Sequence, residues 1–83
     1  MDTTVITYTG RRSGRTISTP VAYQRDGNTV SIGVRGPEAK TWWRNFTGDG
    51  GPIALEFDGA EHQGHAIAHQ DAQGQVSVTV TLS

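Results

Sequence analysis

The chain has 83 residues, a mass of about 8.9 kDa, a formal net charge of −1 and no cysteine. That length holds one domain spanning residues 1–83, and the missing thiols exclude a disulfide framework, a thiolate metal site and a cysteine nucleophile. No run approaches the roughly 18 apolar residues that span a membrane, and near-neutral charge argues against a nucleic acid as partner.

Met1-Asp2-Thr3-Thr4 lacks a basic region followed by an apolar run, so no signal peptide is expected and the cytoplasm is the expected location. Residues 5–8 read as a first short strand. It ends at Thr9-Gly10-Arg11-Arg12-Ser13-Gly14-Arg15-Thr16, a loop. Residues 17–24 form a second strand, in which Pro20 marks an edge, a bulge or a ligand-facing gap in the ladder. Arg25-Asp26-Gly27-Asn28 is a hairpin turn, because Asp-Gly supplies positive φ angles. Residues 29–34 follow as a third strand, with Val30, Ile32 and Val34 alternating onto one face.

Gly36-Pro37-Glu38 predicts a helix start, since Pro suits the first turn and Glu favours the positive end of the dipole. Ala39, Trp42, Trp43 and Phe46 then fall at i, i+3, i+4 and i+7, one apolar stripe. One Trp ring is expected in the core, while the other is free to border a planar ligand or a partner chain. Gly48-Asp49-Gly50-Gly51-Pro52 stops the helix. Residues 53–57 and 60–69 are strands around a tight Asp58-Gly59 turn, residues 70–74 turn the chain, and Val76, Val78, Val80 and Leu82 alternate with polar residues in a last strand.

Val, Ile and Thr together supply 23 residues, which suits pleated strands. Six short strands joined mostly by hairpins predict a mainly β fold, a six-stranded antiparallel barrel with one short helix. Leu, Ile, Val and Phe give only 16 residues. So thin a supply of bulky core formers predicts a homodimer, through the last strand or the tryptophan helix.

All seven cations lie in residues 1–44, which with three acids carry +4; residues 45–83 hold five acids and no cation. This asymmetry points to a local anionic ligand. Gly10-Arg11-Arg12-Ser13-Gly14-Arg15 is the segment suited to it: two glycines let backbone N–H groups turn inward, Ser13 adds a hydroxyl, and three guanidinium forks carry charge. A plain solvated turn would have the same glycines. His62, His65 and His69 do not make a metal site, because on a strand only His65 and His69 share a face, roughly 13 Å apart. No metal is expected, and no nucleophile–base pair can be assigned.

The segments Tyr8-Thr9-Gly10-Arg11-Arg12-Ser13-Gly14-Arg15, Thr19-Pro20, Asp26-Gly27 and Trp42-Trp43-Arg44-Asn45-Phe46 resemble the deazaflavin-dependent nitroreductases, within the split β-barrel flavin and deazaflavin oxidoreductases. The likeness runs from about Val5 to Asp71. It implies a dimeric six-stranded split barrel that binds coenzyme F-420 and transfers hydride to a nitro compound, quinone or other small acceptor. By resemblance, Arg11, Arg12, Ser13, Gly14 and Arg15 would meet the phosphate-bearing tail. Thr19 and Pro20 would lie beside the ring system. Arg35 and Gly36 match a basic-Gly loop, and Trp42 and Asn45 match the family's aromatic and amide positions. Family members carry a helical insertion with acceptor-side Tyr and Ser residues where this chain has residues 70–75. The alternatives are a minimal, non-catalytic binder of the same cofactor and FMN in place of the deazaflavin.

Overall fold

A computed structural model describes residues 2–10, 13–34 and 42–83. Its strands are β1 (Asp2–Thr9), β2 (Thr16–Asp26), β3 (Thr29–Val34), β4 (Gly51–Phe57), β5 (Ala60–Gln70) and β6 (Val76–Leu82), with a 3-10 turn at Trp42–Phe46 between β3 and β4. They close into an antiparallel barrel in the order β1-β2-β3-β6-β5-β4. The mainly β fold and six strands agree with the sequence reading.

Period-2 alternation builds the core. Val30, Ile32 and Val34 of β3 face Val80, Val78 and Val76 of β6 in register, and all six are buried. Ile53, Leu55 and Phe57 of β4 and Ile6 and Tyr8 of β1 point the same way. The apolar side chains of β6 therefore fill the interior, and Trp43 is buried as well. The apolar face of β6 and Trp43 are thus turned away from any dimer contact, while Trp42 of the expected tryptophan surface keeps part of its surface exposed. The physical reason is closure: once β6 pairs with both β3 and β5, its single apolar face must line the barrel.

Strand ends extend beyond the apolar patterns. Thr3 and Thr4 pair with Ala22 and Val21, so β1 starts before its first bulky residue. The β2–β3 hairpin loop is Gly27-Asn28, with positive φ at Gly27 (61°), while Asp26 stays in β2. At Asp58 and Gly59 both φ angles are positive, 52° and 77°, as a type I′ hairpin requires.

The expected helix start at Gly36, Pro37 and Glu38, and Ala39 of its stripe, lie outside the described residues. The rest of the stripe forms the 3-10 turn. With three residues per turn, Trp43 and Phe46 lie on one side and are buried, while Trp42 is rotated away and half-buried. Gly50 then brings the chain against β5. Its φ is +75°, and a Cβ there would lie 2.0 Å from the Ala66 carbonyl oxygen. Only glycine fits this crossing.

One seam is short. β2 pairs with β1 from Thr16 to Tyr23, yet it pairs with β3 only from Tyr23 to Asp26. Residues 16–22 of β2 have no β3 partner, so the barrel opens between these two strands.

A candidate cofactor groove between β2 and β3

The opening forms a groove of about 1410 Å³. One wall is β2; the other combines the end of β3, the start of β6 and the β5–β6 turn, with Tyr8 and Trp42 at the end nearest the 10–15 loop. Val21, Ile32, Val34 and Val76 give it an apolar floor. Ile17 keeps 38 % of its surface exposed here, one of two large apolar side chains so exposed among the described residues. Among the described residues, the backbone groups of β2 that face the gap meet no strand, so Pro20 interrupts no ladder on that side.

Tyr8 is 6 % exposed. Its ring lies 5.4 Å from Phe46, edge-on, and 6.5 Å from Trp42. Desolvation raises its pKa above the ordinary 10.0, so the phenol keeps its proton and remains a donor. Trp42 also contacts Phe46 at 6.2 Å. The Asn45 side-chain amide donates to the Trp42 carbonyl oxygen at 2.8 Å, fixing the turn that presents the indole. The Arg44 guanidinium covers the Trp43 ring at 5.5 Å.

The 10–15 loop closes the β1–β2 hairpin beside Ile17. Gly10 N–H donates to the Arg15 carbonyl and Gly14 N–H to the Gly10 carbonyl, both at 2.9 Å. Arg15 N–H donates to Ser13 Oγ at 3.2 Å. Gly14 has φ +68°, as its place in the turn demands. These three N–H groups are engaged within the loop, and the exposed Arg15 side chain and the Ser13 hydroxyl are among the groups it can offer an anion. Arg11 and Arg12 lie outside the described residues.

Across the groove, the β5–β6 turn is fixed by Asp71. Its Oδ1 accepts the N–H groups of Gln73 and Gln75, each at 2.9 Å, leaving the Gln70, Gln73 and Gln75 side chains on the rim with His69. His65 is spent elsewhere, against the Asp49 carbonyl at 2.7 Å, and His62 packs on Phe57. Among the described residues no three metal-binding side chains cluster, and none of their helices is long and apolar enough to cross a membrane.

Of the residues singled out from sequence, Thr19, Pro20 and Trp42 line the groove, and Ser13, Gly14 and Arg15 sit in the adjoining loop. Asn45 acts on Trp42 through the backbone. Arg35 and Gly36 lie outside the described residues. Sequence reasoning missed Tyr8, Ile17 and the glutamine rim. The parity of Tyr8 with Ile6 marked it as inward, but a lone inward aromatic on a strand reads as core.

The likeness read from the sequence places this parted barrel, with its basic hairpin loop, among the deazaflavin-dependent oxidoreductases, and the family comparison agrees. The chain is a member of the family described as F420H(2)-dependent quinone reductase, whose model matches residues 1–79. No curated protein matches it. The family description names coenzyme F-420 and lends FMN no support.

The groove suits such a cofactor. A planar ring system needs an apolar floor with an aromatic border and a few donors, which Val34, Val76, Trp42 and Tyr8 provide. A phosphate needs fixed cationic forks, and Arg15 stands at the end where Tyr8 and Ile17 lie.

Proposed function

We propose that this protein binds reduced coenzyme F-420 in the β2–β3 groove and reduces a small quinone-type acceptor there. The observation that carries the reading is the seam itself: β2 loses its β3 partner along the stretch beside the basic loop. When bound, the reduced deazaflavin supplies the hydride. The chain's residues bind and orient. Arg11, Arg12 and Arg15 hold the phosphate and acidic tail by charge-assisted hydrogen bonds. Thr19 and Pro20 border the ring from β2, and Arg35 and Gly36, by resemblance, belong to the same cofactor site. Trp42 covers one end and keeps water from the ring. The glutamine rim of the β5–β6 turn offers neutral amides to an uncharged acceptor, which favours quinones over anionic substrates.

A binding-only role is the second reading. It is favoured by the brevity of the β5–β6 turn, which spans residues 71–75 and presents no Tyr or Ser to an acceptor. We further propose a homodimer, in which a partner surface would complete the open groove.

Titration with oxidised and reduced coenzyme F-420, followed by absorbance and Trp fluorescence, tests the binding. A saturable quench of Trp42 with 1:1 stoichiometry per chain is the expected result. Changing Arg11, Arg12 and Arg15 together to Ala should abolish it without unfolding the barrel. Quinone-dependent oxidation of the reduced cofactor then separates enzyme from carrier. Equal affinity in the triple variant contradicts the phosphate assignment.

A further inference from the structure

The Tyr8 hydroxyl has no hydrogen-bond partner among the described residues, although the side chain is more than nine-tenths buried. No fully buried side-chain polar atom among them lacks a partner. The hydroxyl is therefore not sealed into the core, and the groove that Tyr8 lines is the opening beside it. Its ring is held from behind by Phe46 and Trp42, so the O–H has little freedom to turn elsewhere. A phenol so placed is an oriented donor beside the groove's apolar floor, free to meet a ligand acceptor.

We propose that Tyr8 donates a hydrogen bond to a ring carbonyl of the ligand in the groove, making it a binding residue of this site. The inference rests on the cofactor reading above. Carbonyl acceptors occur on the pyrimidinedione edge of a deazaflavin and on a quinone, and one donor geometry serves either.

The test is Tyr8→Phe, which keeps the ring packing and removes only the O–H. Three quantities are compared with the unchanged protein: the dissociation constant for coenzyme F-420, the absorption maximum of the bound cofactor, and the KM for a benzoquinone. One lost neutral hydrogen bond predicts about three- to tenfold weaker binding of the ligand that bears the carbonyl. Weaker cofactor binding with a shifted absorption maximum and unchanged KM assigns the bond to the deazaflavin. A raised KM with unchanged cofactor affinity assigns it to the acceptor. A purely structural Tyr8 would move the urea midpoint and neither affinity. Unchanged affinity for both ligands in a variant that binds cofactor overturns the proposal. Failure of the unchanged protein to bind coenzyme F-420 instead refutes the cofactor reading, and the role of Tyr8 falls with it.

Discussion

Two side chains and one glycine carry most of the consequences at the residue scale. Tyr8 ties stability to alkaline pH. Its folded-state pKa lies above the ordinary 10.0, so above pH 10 the folded protein holds a proton that the unfolded chain has lost. Stability is therefore full below that pH and falls as the pH rises through 10 toward the raised value. Urea midpoints measured from pH 8 to 11 should fall more steeply for the unchanged protein than for Tyr8→Phe. Gly50→Ala should cost about 3 kcal/mol, combining left-handed backbone strain with a clash at the Ala66 carbonyl; denaturant unfolding reads this directly. A single Arg15→Ala change should leave stability within about 0.5 kcal/mol. If Arg15 contacts the phosphate, the same change should weaken cofactor binding about 10- to 100-fold. The basic loop is legible in the sequence because charge and glycine spacing are local properties. The use of Gly10, Gly14 and Arg15 N–H groups inside the loop is not, since it depends on how the hairpin closes. Nor is the opening of Tyr8 onto a groove, which requires knowing where two strands part.

At the scale of elements, β2 is the strand on which the proposed function depends. It has β1 along one edge for most of its length and β3 along the other only at its final residues. Hydrogen exchange should therefore alternate along residues 16–22. Amides directed at β1 should be protected, and those directed at the groove should exchange at least about tenfold faster. Added coenzyme F-420 should slow the second set and leave the first unchanged. Uniform protection along β2 would mean that its second edge is covered. The 3-10 turn is the other decisive element, since Phe46 anchors it in the core. Phe46→Ala should cost about 3–5 kcal/mol and release Trp42 from the groove, visible as red-shifted fluorescence. The strands β3 and β6 can be read from sequence because each has one wet and one dry face. The ends of β1 and β2 cannot, since threonine-rich pairing is fixed by backbone bonds and not by burial. The turn at Trp42–Phe46 reads as part of a helix in sequence because i, i+3 spacing serves both helix types.

For the whole molecule, the accessible surface of 5461 Å² exceeds the about 4,800 Å² usual for a folded monomer of this mass. The opened seam is one source of that excess, and Val5, 39 % exposed on the outer face of β1, is a second exposed apolar contribution. Both favour the proposed homodimer, now through surfaces other than β6 and Trp43. Sedimentation at tens of micromolar should give twice the 8.9 kDa chain mass; a stable species of single mass would contradict it. The charge asymmetry acts at this scale too. Residues 10–15 carry three of the seven cations, while Glu56 of β4, Glu61 of β5 and Asp58 in the turn between these strands gather acids elsewhere. An anionic cofactor is thereby drawn to one side of a nearly neutral protein, so its affinity should fall with added salt. Whether the parted seam between β2 and β3 is the cofactor site is tested most directly by amide and indole chemical shifts recorded during titration with coenzyme F-420. Saturable shifts should concentrate in residues 13–24, at Val34, in residues 69–77 and at the Trp42 indole. Shifts confined to the outer faces of β4 and β5, or no shifts at saturating cofactor, would contradict the assignment of the seam.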